Sequence, residues 1–267
     1  MIKRSFVAAM AHRRHPLAPL LVIVVALLGI ATVYAVVNAA TAAAATSASE
    51  TMVTKGSKLF AEGCASCHGL NAQGSSDGPS LVGAGAASVH FQVATGRMPL
   101  AAPGAQAMRK PPIYTEDEIQ ALAAYIATFG PGPAIPSAAQ IDGWKTADIA
   151  RGGELFRVNC AQCHQAAGSG GALTNGKYAP SLMRATPLEI YEAMLTGPQS
   201  MPVFGDASLP MEEKQQIIAY IEEMKRNNNP GGLSLGRLGP VTEGLFIWTI
   251  GLGAVIAAAV WIGAKVR

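Results

Sequence analysis

The sequence has few cysteines, and its central part has no basic stripe. Only four cysteines occur among 267 residues. The formal net charge of +3 comes from the two ends, because residues 46–235 contain thirteen Lys and Arg against sixteen Asp and Glu. This balance argues against a nucleic-acid-binding protein. The sequence also lacks an acid/base pair, a nucleophile and a motif for a hydride-transferring cofactor, so we expect no catalytic acid/base site.

All four cysteines lie in two copies of the pattern Cys-X-X-Cys-His. The copies are Cys64-Ala65-Ser66-Cys67-His68 and Cys160-Ala161-Gln162-Cys163-His164. This spacing is typical of c-type haem attachment. The two thiols lie one helical turn apart and can add to the two vinyl groups of a haem, while the adjacent histidine ligates its iron. The sequence therefore predicts two covalently bound haem c groups.

Two other uses of the cysteines fit the sequence less well. A dithiol–disulfide redox motif does not require a histidine after its second cysteine, yet both copies have one. A zinc ion needs four ligands, and neither copy has a further Cys or His pair nearby to complete them. We expect no metal other than haem iron.

The repeat extends well beyond the cysteine motifs. Before each motif, a Gly, a Leu and a Phe recur at the same distances: Gly56, Leu59, Phe60 and Gly152, Leu155, Phe156. After each motif come a Pro-Ser-Leu segment, a Thr-Gly turn with a following Met-Pro, and an amphipathic stretch, 115–129 or 210–225. Both Thr115 and Thr186 begin sequences typical of helix capping boxes. Gly- and Pro-rich loops separate these stretches, so no sheet is expected.

These signals resemble the class I cytochrome c domain, over residues 49–130 and again over 146–228. The resemblance implies an all-α fold of two tandem domains. In each, the first helix would cross the last, with glycine permitting close approach: Gly56/Phe60 against Leu122/Tyr125, and Gly152/Phe156 against Ile217/Tyr220. It also implies that the carbonyls of Pro79 and Pro180 accept hydrogen bonds from His68 and His164, although either proline can also simply stiffen its loop.

Met98 and Met201 are the candidates for the second axial ligand of each iron. Each stands in a Met-Pro that follows a Thr-Gly turn, which resembles the loop that brings a thioether to the haem in this family. Met108 is the competitor in the first domain, without that turn. His/Met ligation leaves no vacant position on the iron and favours electron transfer over substrate binding. We expect His90 to be a packed or surface residue and not a ligand.

Each end of the sequence contains an apolar segment typical of a membrane span or a secretory leader. Residues 241–264 are long and apolar enough to span a bilayer, and Lys265 and Arg267 follow. At the other end, Lys3, Arg4, Arg13 and Arg14 precede an apolar run over 17–37. This run fits either a cleaved secretory leader or a retained anchor. In both cases the positive-inside rule places the basic ends in the cytoplasm and the haem domains on the outer face of the plasma membrane.

The expected organisation has six parts. They are a leader or anchor over 1–45, domain 1 over 46–130, a Pro/Gly/Ala-rich linker over 131–145, domain 2 over 146–228, a connector over 229–240 and a transmembrane helix over 241–264. This whole-chain order resembles the dihaem cytochrome c subunit of the actinobacterial cytochrome bcc complex. The resemblance implies a menaquinol-oxidising complex with a cytochrome b subunit, a Rieske iron–sulfur subunit and an associated haem-copper cytochrome c oxidase.

Two alternatives remain open. The chain could be a dihaem electron-transfer subunit of another membrane oxidase or dehydrogenase, although such oxidase subunits usually place their anchor before the haem domains. A dihaem peroxidase is a different class, and it would need an open iron, which two Met-Pro loops argue against.

Overall fold

A computed structural model describes residues 17–226 and 240–264 of the chain. These residues are mostly helical, as predicted, and they divide into two units between Val53 and Thr54. Most of the expected connector and the basic residues at both ends lie outside the described residues, namely Lys3, Arg4, Arg13, Arg14, Lys265 and Arg267.

The helices in chain order are α1 Ala18–Gly63, α2 Ala65–His68, α3 Gly85–Ala94, α4 Glu116–Ala127, α5 Ala138–Asp142, α6 Ile149–Asn159, α7 Ala161–His164, α8 Pro187–Thr196, α9 Met211–Arg226, α10 Pro240–Phe246 and α11 Leu252–Ala264. Two 3-10 turns cover Gly143–Thr146 and Leu182–Arg184, and a π-helical turn covers Ile247–Gly251. Two short strands, β1 Gly171–Ala172 and β2 Tyr178–Ala179, pair in antiparallel fashion.

The last helix of the first domain, α4, begins and packs as its sequence predicts. The backbone N–H of Thr115 donates to the Glu118 carboxylate at 2.8 Å, which is one half of a capping box. Ile119, Leu122 and Ile126 recur at helical spacing, and all three are buried in the core of this domain. The cap therefore fixes where α4 begins, and its apolar face fixes which side turns inward.

The second domain uses the same two devices. The Asp148 carboxylate caps α6 by accepting the backbone N–H groups of Ala150 and Arg151 at 2.9 and 3.1 Å. Leu155 and Phe156 then lie on the buried face of α6. They share a core with three isoleucines of α9, Ile217, Ile218 and Ile221.

Glycine permits the close helix crossing in both domains. A Cβ atom at Gly56 would lie 2.0 Å from the carbonyl oxygen of Ala121, and one at Gly152 would lie 1.9 Å from that of Gln216. An aromatic pair lies beside each crossing, with ring centroids 5.5 and 5.4 Å apart: Phe60–Tyr125 and Phe156–Tyr220. The crossing predicted from the sequence is confirmed in both domains.

Replacing Gly152 by Ala should destabilise the second domain. The added methyl group would meet backbone, which cannot move aside as a flexible side chain can, so we expect a loss of about 1–3 kcal/mol. Thermal unfolding followed by circular dichroism measures this. Gly205→Ala is the matched control, because a Cβ atom there would have no heavy atom within 4 Å. Equal unfolding midpoints for the two variants would contradict the close-approach explanation.

The expectation of no sheet is wrong at one place. Strands β1 and β2 form a two-stranded hairpin in which Gly171 pairs with Ala179 and Ala172 with Tyr178. Its loop contains Asn175 and Gly176, both with positive φ, at +57° and +71°. Asn-Gly favours a tight hairpin turn, so the local sequence carried this signal.

The segment expected as a linker is partly helical and contacts both domains. Its first part pairs with the first domain, where the backbone N–H of Ala87 donates to the carbonyl of Pro133 at 3.0 Å. Its second part forms α5 and a 3-10 turn against the second domain. There the Gln215 side chain donates to the carbonyl of Gln140 at 2.9 Å, and Arg226 lies 5.3 Å above the ring of Trp144.

Two apolar helical stretches are candidate membrane spans. They cover Pro19–Ala39 and Thr242–Ala264, with mean hydropathy of 2.9 and 2.3, and none of their residues is buried in the structure. Trp248 and Trp261 are exposed on the second stretch. The first stretch also fits a signal sequence, so both interpretations of the N-terminal segment stay open.

Candidate haem-binding sites

The first Cys-X-X-Cys-His motif forms a single helical turn that ends at its histidine. The backbone N–H groups of Cys67 and His68 both donate to the carbonyl of Cys64, at 3.2 and 3.0 Å. The Nδ1 atom of His68 lies 2.8 Å from the carbonyl oxygen of Pro79. Because a carbonyl oxygen can only accept, Nδ1 carries the proton and Nε2 keeps its lone pair. The imidazole is therefore in the form that binds a metal through Nε2.

The second motif repeats this geometry. The Nδ1 atom of His164 lies 2.9 Å from the carbonyl oxygen of Pro180. Burial lowers the pKa of His164 below its ordinary value, and the hydrogen bond to Pro180 only partly opposes this. His164 is therefore neutral at pH 7, as a metal ligand must be.

No disulfide joins the four cysteines, and the first cysteine of each motif lies in an environment that raises its pKa. Burial, and to a smaller extent Cys67, raises the pKa of Cys64 to about 11. Burial, and then Cys163, raises the pKa of Cys160 to about 12. Reactive cysteines of redox enzymes have a lowered pKa instead, so the environments of Cys64 and Cys160 disfavour that role for these two thiols. Within residues 17–226 and 240–264, no group of three or more His, Cys, Asp or Glu could hold a separate metal ion.

Met98 lies in a loop that follows α3 and returns to the first core. Gly96 has a φ of +67°, and a Cβ atom there would lie 1.9 Å from the carbonyl oxygen of Lys110. The backbone N–H of Met98 donates to the carbonyl of Gln92 at 3.0 Å. Its side chain packs against the same core as Cys64. The Thr-Gly turn thus places Met98 at the core that carries the first motif.

Met201 occupies the corresponding place in the second domain. Gly197 ends α8 in the left-handed conformation, with a φ of +57°. Met201, Cys160, Cys163 and His164 all line one cavity of about 940 Å³. That volume falls within the range of about 300–1,000 Å³ found for ligand pockets. The second site therefore brings together every side chain predicted for it, and the set fits a haem c group.

Met108 lies against the second domain. Its side chain is 56% exposed, and its sulfur accepts a hydrogen bond from the hydroxyl of Tyr178 at 3.3 Å. This placement gives Met108 a contact that the sequence did not indicate, since seventy positions separate it from Tyr178.

His90 is packed, as expected, but it also joins the two domains. It is only 4% exposed, and its Nδ1 lies 2.8 Å from a carboxylate oxygen of Glu192, which is fully buried on α8. Its Nε2 lies 3.2 Å from the Glu116 carboxylate. Burial lowers the pKa of His90, but the two carboxylates outweigh this effect and raise it overall. Sequence reasoning missed this cluster because 102 positions separate His90 from Glu192.

Two families match the two domains. Residues 53–130 match the cytochrome c family, and residues 147–221 match subunit III of cbb3-type cytochrome c oxidase. Together with two motifs that each end in a histidine bonded to a proline carbonyl, these matches define a protein with two cytochrome c domains. Haem c binding follows from the domain class.

Relatives extend the comparison to most of the chain. The cytochrome bc1 complex cytochrome c subunit of Corynebacterium efficiens is 49% identical over 230 residues, covering 81% of this chain and 78% of the relative. The protein of that name from Mycobacterium leprae is 48% identical over 81% of this chain and 77% of its own length. A cbb3-type cytochrome c oxidase subunit FixP of Sinorhizobium medicae is 34% identical over only 27% of this chain. The chain belongs to the family of cytochrome bc1 complex cytochrome c subunits.

Proposed function

We propose that this protein is the membrane-anchored dihaem cytochrome c of a menaquinol-oxidising bcc complex. It would relay electrons from the Rieske iron–sulfur subunit to a haem-copper terminal oxidase. The observation that carries the proposal is the duplicated site: two Cys-X-X-Cys-His turns, each with its histidine bonded to a proline carbonyl, in a chain whose relatives are named as bc1 complex subunits. Bound haem c supplies one-electron chemistry.

The residues that would hold each haem follow from the two sites. Cys64 and Cys67 would attach the first haem, and Cys160 and Cys163 the second. His68 and His164 would ligate the irons through Nε2, oriented by Pro79 and Pro180 at 2.8 and 2.9 Å. A carbonyl acceptor at Nδ1 makes the imidazole more basic and fixes its ring. The raised pKa values of Cys64 and Cys160 support attachment over redox exchange.

Met98 and Met201 would complete the axial ligation. Met98 packs on the core of the first motif, and Met201 lines the cavity of the second. A thioether ligand raises the potential of a c-type haem and leaves no position for a substrate. This ligation supports electron relay over peroxidase chemistry.

The partners and orientation are proposed from the family and the sequence pattern. The relatives are named as subunits of a cytochrome bc1 complex. On this basis the chain would assemble with a cytochrome b subunit and a Rieske subunit in the plasma membrane. Two candidate spans provide contact with lipid. Basic residues beyond them favour cytoplasmic ends, with the haem domains on the outer face.

The alternative is an electron-transfer subunit of another membrane oxidase. The match of residues 147–221 to a cbb3-type oxidase subunit favours it locally. The FixP relative, however, aligns with 27% of the chain, whereas the bc1 complex subunits align with 81%. The broader match favours the bcc complex.

Counting the covalent haems tests the proposal. The mature chain should carry two haems that survive denaturation, because two cysteine pairs are present and each has its histidine in place. Intact mass and haem staining after denaturing electrophoresis measure this. Each double variant, Cys64→Ala/Cys67→Ala and Cys160→Ala/Cys163→Ala, should lose one haem. A wild-type mass that shows a single haem would rule out the dihaem relay.

A further inference from the structure

The cavity of the second haem motif has a wall that comes from the first domain. Besides the motif itself and Met201, side chains from positions more than forty residues upstream line it. These are Phe91, Arg97, Gln106, Arg109 and Pro111. The second site is therefore built from both domains.

The part of this wall between 106 and 112, here called the bridging segment, is fixed to the second domain by paired hydrogen bonds. Gln106 donates to the carbonyl of Tyr178 at 2.8 Å, and the backbone N–H of Tyr178 donates back to Gln106 at 2.9 Å. Gln199 forms the same kind of pair with the backbone of Ala107, at 3.2 and 3.1 Å. Four hydrogen bonds in two reciprocal pairs hold the bridging segment in register with the cavity.

An ion pair adds to this attachment. Both guanidinium nitrogens of Arg109 donate to the Glu189 carboxylate, at 2.7 and 3.0 Å. The same carboxylate accepts the backbone N–H of Thr186 at 2.9 Å, which caps α8. Arg109 is therefore paired, and Glu189 already serves two partners.

Arg97 is different, because it is buried in the cavity wall without an ion pair, and the nearby Glu189 carboxylate is already bound by Arg109. Arg97 is only 7% exposed, and its Nη1 atom is buried with no hydrogen-bond partner. Among the described residues, no carboxylate forms an ion pair with it. The ring of Phe91, 4.9 Å from the guanidinium carbon, compensates only in part. A buried cation without an ion-pair partner is strongly unfavourable, so this cavity favours the binding of an anion.

A haem carries two propionate carboxylates, which are anions of the required kind. We propose that Arg97 of the first domain binds a propionate carboxylate of the haem held by the second domain. The inference rests on the proposed function, because it requires a haem at the second motif. The planar guanidinium suits a carboxylate, since it can donate two parallel hydrogen bonds.

Arg97 would then help to set the potential of the second haem. A cation beside a propionate offsets negative charge that opposes reduction, so it favours the reduced state. Removing the cation should lower the midpoint potential of the second haem and leave that of the first haem less affected.

Redox titration of the purified complex tests this with Arg97→Gln. We expect the second haem to become at least tenfold harder to reduce, which corresponds to about 59 mV for one electron. The wave that disappears in the Cys160→Ala/Cys163→Ala variant identifies the second haem. Arg157→Gln is the matched control. Arg157 is exposed on the second domain, and this substitution removes the same charge.

Two results would overturn the assignment. One is an unchanged second-haem potential in an Arg97→Gln complex that still carries two covalent haems. The other is a shift confined to the first haem, which would mean that Arg97 acts on its neighbour Met98 instead. A wild-type protein that carries fewer than two covalent haems would instead contradict the proposed function.

Arg97→Lys keeps the inference testable if the uncharged variant does not fold. Lysine preserves the charge but not the planar fork, so the second-haem potential should change less than in Arg97→Gln. The propionate-bending band of the second haem, seen by resonance Raman spectroscopy, should nevertheless shift. An unchanged band in Arg97→Lys would show that Arg97 does not contact the propionate.

Discussion

Membranes that carry Cys160→Ala/Cys163→Ala should lose quinol-dependent oxygen reduction through the bcc–oxidase route. Without the two thiols the second haem cannot attach covalently, and the relay between the Rieske subunit and the oxidase is interrupted. We expect the rate of oxygen reduction to fall to that of membranes that lack this chain. Oxygen uptake driven by a reduced menaquinol analogue measures it.

The control for this experiment is assembly. The variant chain should still co-purify with its partner subunits, and the first haem should remain detectable by staining and mass. A high-salt wash, which strips peripheral cytochromes, should leave wild-type activity intact, because tethering removes the need for a diffusing carrier. If the assembled variant retains oxygen reduction by this route, electrons do not need the second haem.

Replacing Met98 or Met201 by Ala should open the corresponding haem to carbon monoxide and lower its potential. The thioether is the proposed sixth ligand. Its removal leaves a vacant position on the iron and takes away a ligand that raises the haem potential. Loss of the Met-to-iron absorption band and a carbon monoxide difference spectrum measure the two effects. We expect each variant to affect one haem, with near-complete loss of that band.

Met108→Ala is the matched control for Met98→Ala. Met108 lies ten positions after Met98, but its sulfur accepts a hydrogen bond from the Tyr178 hydroxyl at 3.3 Å. This variant should leave both haems closed to carbon monoxide. If the reduced wild-type protein already binds carbon monoxide at both haems, or if Met108→Ala opens the first haem, the assignment of the ligands is wrong.

Local sequence patterns predicted the fold well where a short segment decides the outcome. The capping box at Thr115 places the start of α4 within its own turn of helix. Gly56 and Gly152 mark the crossings because only a residue without a side chain fits against a backbone carbonyl. Such constraints act within a few residues or recur in both repeats, so the sequence displays them directly.

Contacts between the domains could not be predicted in this way. His90 meets Glu192 across 102 positions, and Gln106 meets Tyr178 across 72. None of these four residues belongs to a repeated motif. The repeat predicts contacts within each domain and gives no information on contacts between the domains. The hairpin at Asn175–Gly176 is unpredicted for a different reason. Its turn signal is present in the sequence, but the helical class of the domain outweighs it in the prediction.

A single peptide bond joins Arg97, in the wall of the second cavity, to Met98, the ligand proposed for the first iron. This adjacency has a geometric consequence. Under the proposed ligation, the loop from Thr95 to Pro99 would serve both haems, because Arg97 lines the second cavity and Met98 packs on the first core. A movement of its backbone would shift both side chains together, so this one loop would hold the two haem sites in a fixed relation.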